Sequence, residues 1–340
     1  MKENVEVLVT LQLDDELVER IRKVCDNVNL TVLPVKDAAE VPLEQWEKTE
    51  VLFTSSRVLP ELSHVPLLKW IQFNYAGVDR VILKPIIQDS DVIATSSSGV
   101  ITSQVAEYVM MTLLAFGQQL PQMMALQAEK TWPDNVWKTL MPLELRGSTV
   151  GILGYGSIGR QVARLLQPFG VSILAAKKDA MHPEDSGYTQ EGMGDPHGDF
   201  FQRLYPIEAL HSMLKECDFV IIALPLTAET YHLMGAAEFE VMKPGAYLVN
   251  IGRGDIINEE ALVAALSEGK LAGAALDVFH EEPLPESSPL WTLPNVIITP
   301  HVSGLSLNLM SDIVDLFIEN LKHYIADQPL YNRIDPQKGY

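Results

Sequence analysis

Gly154, Gly156 and Gly159 follow the apolar run Val150-Gly151-Ile152-Leu153 at the spacing G-x-G-x-x-G, an arrangement able to seat a pyrophosphate. The first glycine permits a tight turn, the second lets backbone approach the anion, and the third allows close helix–strand packing. Ser157 and Ile158 open the helix that follows, and its first N–H groups, without intrahelical acceptors, favour an anion. Glycines alone would say little, since many turns use them. The strand-like run before them and Ile158, Val162, Leu165 and Leu166 at helical spacing after them turn the pattern into a dinucleotide-binding reading.

Four more residues with chemistry to offer follow later apolar runs. They are Arg253 in Gly252-Arg253-Gly254, Asp277 in Leu276-Asp277-Val278, Glu282 before Pro283, and His301 in Pro300-His301-Val302-Ser303-Gly304. In an open α/β sheet the ligand crevice lies outside the carboxyl ends of the strands, so these four are candidates to converge there. Singly, each has a plain structural account: a surface ion pair for Arg253, a solvated loop acid for Glu282, a buried and hydrogen-bonded histidine for His301. Together they form a chemical set.

Two wound units are needed to position them. Apolar runs at 5–13, 30–35, 50–54, 68–73 and 92–95 alternate with helix-like or turn-rich sequence, which predicts a first parallel sheet flanked by helices. A long apolar helix over 101–119 and a looser segment holding Trp132, Pro133 and Trp137 lead to the fingerprint, with a hinge near residue 102. Beyond it, strands are predicted at 171–176, 218–224, 246–251, 273–276 and 296–299, and an amphipathic helix over 306–324. The fold class is therefore α/β, with two doubly wound parallel-sheet domains and a cleft between them. Residues 1–102 with 302–340 form a flavodoxin-like substrate domain, and 103–301 a Rossmann dinucleotide-binding domain. The Gly-, Asp-, His- and Pro-rich stretch 178–205 reads as a solvated loop, with its His182 and His197 not expected to bind metal.

Composition narrows the partners. Among 340 residues, 47% are hydrophobic and 21% charged, which is globular composition. The formal charge of −20 argues against duplex nucleic acid or an anionic membrane as partner. Cys25 and Cys217 are too few for a disulfide framework. Residues 1–11 lack the basic start and apolar core of a signal peptide, and no apolar run is long enough to span a bilayer, so a cytoplasmic location is expected.

The fingerprint, the Gly-Arg-Gly segment, the Leu-Asp-Val-x-x-x-Glu-Pro segment and the Pro-His-x-Ser-Gly segment, in that order, resemble the D-isomer-specific 2-hydroxyacid dehydrogenases. The resemblance extends through Phe73-Asn74-Tyr75-Ala76-Gly77-Val78-Asp79, Ser98-Gly99-Val100 and Val105-Ala106-Glu107 and covers nearly the whole chain. It implies that Arg253 holds a substrate carboxylate and polarises its carbonyl, that His301 is the acid–base group, that Glu282 pairs with His301, and that Asp277 contacts the nicotinamide end. Pro225 and Thr230, after the 218–224 run, are counted with the cofactor site. The physics suits these roles. Reducing a 2-oxo acid needs a hydride at carbon and a proton at oxygen, which histidine supplies near neutral pH, while arginine offers a planar carboxylate a fork of donors. Asn74, Tyr75 and the backbone N–H groups of Ala76 and Gly77 would complete a substrate cradle.

The cofactor follows from a departure. An NAD-specific Rossmann unit usually places Asp or Glu about 20 residues beyond the glycines to bind the ribose hydroxyls. Here the strand ends Ala176-Lys177-Lys178, and lysines attract the 2′-phosphate that a carboxylate would repel. NADP(H) is favoured, with NAD(H) the alternative if Asp179 reaches the ribose instead. Two rival functions share the scaffold. A formate dehydrogenase-like enzyme needs no proton-donating histidine held by a carboxylate, and Glu282 speaks against it. A nucleotide-sensing scaffold like the dehydrogenase-related corepressors would bind cofactor without turnover. The resemblance also implies a homodimer built around 101–119 and 132–140.

Overall fold

The computed structural model describes residues 4–24 and 27–339, and the chain forms two compact units. One comprises Met1–Val100, Ser186–Gln190 and Ser306–Tyr340, the other Ile101–Asp185 and Glu191–Leu305. The expected divisions lay at 102/103 and 301/302. Cys25 lies outside the described residues.

In the first unit, strands β1 (Val5–Val9), β2 (Val28–Val32), β3 (Val51–Thr54), β4 (Trp70–Phe73) and β5 (Ile93–Thr95) form one parallel sheet in the order β2-β1-β3-β4-β5. This is the flavodoxin-like doubly wound order. Every residue of β3 and β4 is buried, because both faces of a wound sheet are covered. The first two strands differ from the predicted 5–13 and 30–35. Pairing to β3 ends at Val9 with Phe53, and Asp14 turns away to accept the Leu17 N–H at 2.9 Å, capping the helix Asp15–Arg22. The late helix Leu309–Ile325 covers this sheet, stacking Phe317 on Phe53 with ring centroids 4.3 Å apart. Asn320 on that helix donates to the Gln72 Oε1 at 3.0 Å, and Thr95 donates to the same oxygen, which satisfies a fully buried amide.

The second unit holds β6 (Thr149–Leu153), β7 (Ser172–Ala176), β8 (Arg203–Tyr205), β9 (Phe219–Ile222), β10 (Ala246–Asn250), β11 (Leu271–Leu276) and β12 (Val296–Ile298). All are parallel, ordered β12-β11-β10-β9-β6-β7-β8. Strand order reverses between β6 and β9, so the fingerprint turn after β6 stands at the topological switch point. Alternate residues of β9 enter opposite cores: Phe219 and Ile221 pack with Val150, Ile152 and Val249, whereas Val220 and Ile222 pack with Leu153, Leu248 and Leu276. One part of the 178–205 reading needs correction. Arg203–Tyr205 is an edge strand pairing with Leu174, Ala175 and Ala176, so the end of the supposed loop completes the sheet. Three residues bounded by a polar stretch carry too short a pattern to register as a strand. No helix of the described residues is long and apolar enough to cross a membrane.

Candidate active site

The three fingerprint glycines answer to three different physical demands. Gly154 has φ of +99°, and a Cβ there would meet the Ala223 carbonyl oxygen at 2.6 Å. A Cβ on Gly159 would fall 2.2 Å from the Gly154 carbonyl oxygen, so the helix Ser157–Leu166 sits against its strand only without a side chain there. At Gly156 a Cβ would meet nothing within 4 Å. This glycine keeps open the space beside the helix N-terminus, where Ser157 and Ile158 present their backbone, and such a cradle fits the pyrophosphate of a dinucleotide.

Lys177 and Lys178 follow β7. The Lys177 ammonium donates to the His182 carbonyl oxygen at 2.7 Å and to that of Glu184 at 3.4 Å. Burial and the nearby Arg160 hold its pKa below the usual lysine value. Lys178 pairs with Glu229 at 2.6 Å, and Asp179 with His182 at 2.8 Å. Glu229 lies in the loop after β9, which Thr230 closes by donating its hydroxyl to the Pro225 carbonyl oxygen at 2.7 Å. Pro225 and Thr230 thus form one compact turn, and Glu229 within it meets Lys178.

The loops after β10, β11 and β12 carry the remaining set. Asn250 Nδ2 donates to the Arg253 carbonyl oxygen at 2.9 Å and Asn250 Oδ1 accepts the Gly252 N–H at 3.1 Å, which shapes the turn bearing Arg253. Its guanidinium is half-buried and donates to the Gly252 carbonyl oxygen at 2.8 Å. Glu282 Oε1 accepts the Phe279 N–H at 3.1 Å, and Oε2 lies 2.8 Å from Nδ1 of His301. The His301 side chain is 48% exposed, so this histidine is partnered and accessible at once. Its backbone is left-handed at φ +54°, an uncommon state for a side-chain-bearing residue.

Asp277 explains how that conformation holds. Its side chain is 0% exposed; Oδ1 accepts from the Thr299 hydroxyl at 2.7 Å and the Val302 N–H at 2.9 Å, and Oδ2 from the Ser303 N–H at 2.9 Å. Bonds on both sides of His301 over-determine a backbone state that would otherwise relax. The resemblance puts Asp277 against the nicotinamide; here both oxygens serve the loop that presents His301.

A family profile described as "D-isomer specific 2-hydroxyacid dehydrogenase, NAD binding domain" matches residues 110–303. The chain belongs to the D-isomer specific 2-hydroxyacid dehydrogenase family. It is 36% identical over 290 residues to a glyoxylate reductase of Thermococcus gammatolerans, covering 83% of this chain and 81% of that protein. Among solved structures, it is similar to a D-isomer specific 2-hydroxyacid dehydrogenase from Xanthobacter autotrophicus Py2 in complex with NADPH and MES, with TM-score 0.81, 25% identity and full coverage of both chains. An NADPH-dependent glyoxylate/hydroxypyruvate reductase from Sinorhizobium meliloti, in complex with NADP and sulfate, gives TM-score 0.76 at 27% identity, covering 99% of this chain and all of that one.

This member of the 2-hydroxyacid dehydrogenase family also has supporting residues that its sequence pattern did not disclose. Thr299 spends its hydroxyl proton on Asp277, so the Tyr108 hydroxyl is the donor in its 2.8 Å bond to Thr299. Burial pushes the Tyr108 phenol up to about 12, which keeps it a donor. Next to the glycine turn, Tyr155 donates to Asp195 Oδ2 at 2.6 Å, and Arg160, 2% exposed, donates to the Asp195 and Pro183 carbonyl oxygens. Asp195 also accepts the N–H groups of Gly198, Asp199 and Phe200. Burial alone would raise its pKa; the Tyr155 and backbone hydrogen bonds hold it below the ordinary value. A buried Asp–Arg knot in a stretch read as solvated has no sequence signal beyond the residues themselves.

In the first unit, Asn74, Tyr75, Ala76 and Gly77 follow β4. Asn74 N–H donates to the Thr54 carbonyl oxygen at 3.1 Å, the Tyr75 carbonyl accepts the Ser97 N–H at 2.8 Å, and burial raises the Tyr75 phenol. The N–H groups of Ala76 and Gly77 donate to no backbone acceptor among the described residues. No cluster of three or more His, Cys, Asp or Glu among the described residues could hold a metal ion.

Proposed function

We propose that the chain reduces a 2-oxo acid to a D-2-hydroxy acid, and catalyses the reverse oxidation, with NADP(H) preferred to NAD(H). The observation that carries this reading is the 2.8 Å Glu282–His301 pair, on the loops after β11 and β12, with Arg253 on the loop after β10. All three stand past the carboxyl ends of adjacent strands, where open α/β sheets bind ligands. Bound nicotinamide cofactor supplies or accepts the hydride. With Nδ1 engaged by Glu282, His301 delivers its proton to the carbonyl oxygen from Nε2, and Glu282 stabilises the charged ring and fixes its orientation. Arg253 binds the substrate carboxylate through its fork and draws charge from the carbonyl. From the first unit, Asn74, Tyr75, Ala76 and Gly77 are assigned to substrate binding, supported by the unengaged N–H groups of Ala76 and Gly77.

The cofactor residues are Gly154, Gly156, Ser157, Ile158 and Gly159 for the pyrophosphate, Lys177 and Lys178 for the 2′-phosphate, and Pro225 and Thr230 along the remaining strand ends, with Asp277 serving the nicotinamide end through the His301 loop that it holds. Lys177 is engaged with carbonyl oxygens, yet an ammonium has three donors, and Lys178 follows it directly. The NADP-bound relatives support the same preference. Glyoxylate and hydroxypyruvate are the proposed substrates, in keeping with the names of the relatives. A homodimer is also proposed, because Trp132 and Trp137 are 88% and 77% exposed, as are Met123 and Met124 of the helix Leu120–Ala128 at 40% and 61%.

The test is oxidation of NADPH and NADH by purified protein against a panel of glyoxylate, hydroxypyruvate and larger 2-oxo acids. Turnover with NADPH supports the reading. Tight cofactor binding with no turnover on any member would replace it with a nucleotide-sensing scaffold.

A further inference from the structure

We propose that Asp255 and His280 act as positioning residues, a brace that holds the Arg253 turn against the segment bearing Glu282 and so sets affinity for the 2-oxo acid. The inference rests on the substrate-binding role proposed above for Arg253. Asp255 stands two residues after Arg253, and His280 two residues before Glu282. His280 Nδ1 lies 2.5 Å from Asp255 Oδ1.

Below that pair the two segments already touch through backbone. A Cβ on Gly254 would sit 1.9 Å from the Phe279 carbonyl carbon and 2.4 Å from the His280 nitrogen, so only glycine allows this approach. Phe279 in turn gives its N–H to Glu282, whose other oxygen meets His301. The Arg253 turn and the Glu282–His301 pair are therefore joined twice, by packing at Gly254 and by the Asp255–His280 contact. Asp255 transmits position because its own backbone is held: its carbonyl accepts the His232 N–H at 2.8 Å within the short 3-10 turn Gly254–Ile256.

The brace has a charge state. The Asp255 hydrogen bond and charge hold the His280 imidazole above its ordinary range, with Glu259 and Glu281 adding to them and slight burial opposing. His280 is thus protonated at lower pH, and its bond to Asp255 weakens from an ion pair to a hydrogen bond between neutral imidazole and carboxylate as pH rises through that elevated value. With the His280 side chain 65% exposed, the contact is screened and its effect modest.

The experiment measures KM for glyoxylate and for NADPH, with kcat, from pH 6 to 9 in wild type, His280→Gln, His280→Ala, Asp255→Asn and the His280→Ala/Asp255→Asn double variant. Glutamine still donates to Asp255 but does not titrate. The ratio of the glyoxylate KM of wild type to that of His280→Gln is expected to rise about two- to five-fold with pH, the scale of an exposed ion pair. At neutral pH, His280→Ala and Asp255→Asn should each raise the glyoxylate KM by a similar factor, the double variant no further, with kcat falling by no larger factor and the NADPH KM moving less. A flat ratio, additive single effects, or an equal change in the NADPH KM would overturn the brace while leaving the catalytic reading intact. Absence of wild-type turnover would remove the catalytic reading and the brace with it.

Discussion

Glu282 grips His301 from one side only: its Oε2 meets Nδ1 at 2.8 Å while its Oε1 is spent on the Phe279 N–H. The carboxylate cannot turn toward the far ring nitrogen without abandoning a backbone donor, so Nε2 is left for proton transfer. His301→Ala should lower kcat for 2-oxo acid reduction by about 10²–10⁴-fold, the range of general acid–base catalysis, with cofactor affinity measured by titration nearly unchanged. Glu282→Gln should give a smaller loss in the same direction. Wild-type turnover in His301→Ala would remove the assignment.

Arg253→Ala should raise the KM for a 2-oxo acid and lower kcat together, because the proposed role has one group serve both bound substrate and transition state. Arg253→Lys should recover little, since a lysine ammonium cannot reproduce the planar fork. Steady-state kinetics with glyoxylate decide this, and a defect confined to the cofactor KM would contradict it.

Asp277→Asn tests whether Asp277 holds the loop that carries His301. Asparagine has one acceptor oxygen where Asp277 uses two, so its NH2 would face a backbone donor at Ser303 or Val302. Thermal or denaturant unfolding should show a loss of about 1–3 kcal/mol for a buried donor left unsatisfied, and kcat should fall as well. Full stability with full activity would mean that this aspartate does not hold the loop.

Lys177→Asp should shift preference from NADPH toward NADH by roughly tenfold or more in kcat/KM, the scale of one charge-assisted hydrogen bond. Lys178→Ala should weaken NADPH use less, because its ammonium is partly neutralised by Glu229 at 2.6 Å. A wild-type preference for NADH would refute the role given to these lysines.

Asp195 makes the second unit sensitive to acid. Its folded pKa lies below the ordinary value of 3.8, so the stability it adds is complete above that value and is lost as pH falls through the folded pKa. Acid unfolding followed by circular dichroism should therefore show a flatter low-pH limb in Asp195→Asn, which should also be less stable at neutral pH. An unchanged limb would show that the Tyr155–Asp195 contact does not contribute to acid sensitivity.

By itself the sequence determined the local and chemical content of this protein. Glycine spacing after β6 is readable because Gly154 and Gly159 have backbone where a Cβ would go and Gly156 leaves open the space beside the helix N-terminus, and short apolar runs are readable because strands buried on both faces tolerate little else. Arg253, Glu282 and His301 were legible as candidates since each follows such a run. Relationships between distant segments were decided only by tertiary structure. Nothing in the pattern announces that Asp277 spans the loop around His301, that His280 reaches Asp255, or that Asp195 sits buried against Tyr155 and Arg160. Polar residues carry no periodicity that distinguishes a solvated side chain from a buried, satisfied one. The difference lies in which backbone donors the folded chain brings within about 3 Å, and hydrogen bonding of that reach depends on strand order and loop packing rather than on neighbours in sequence.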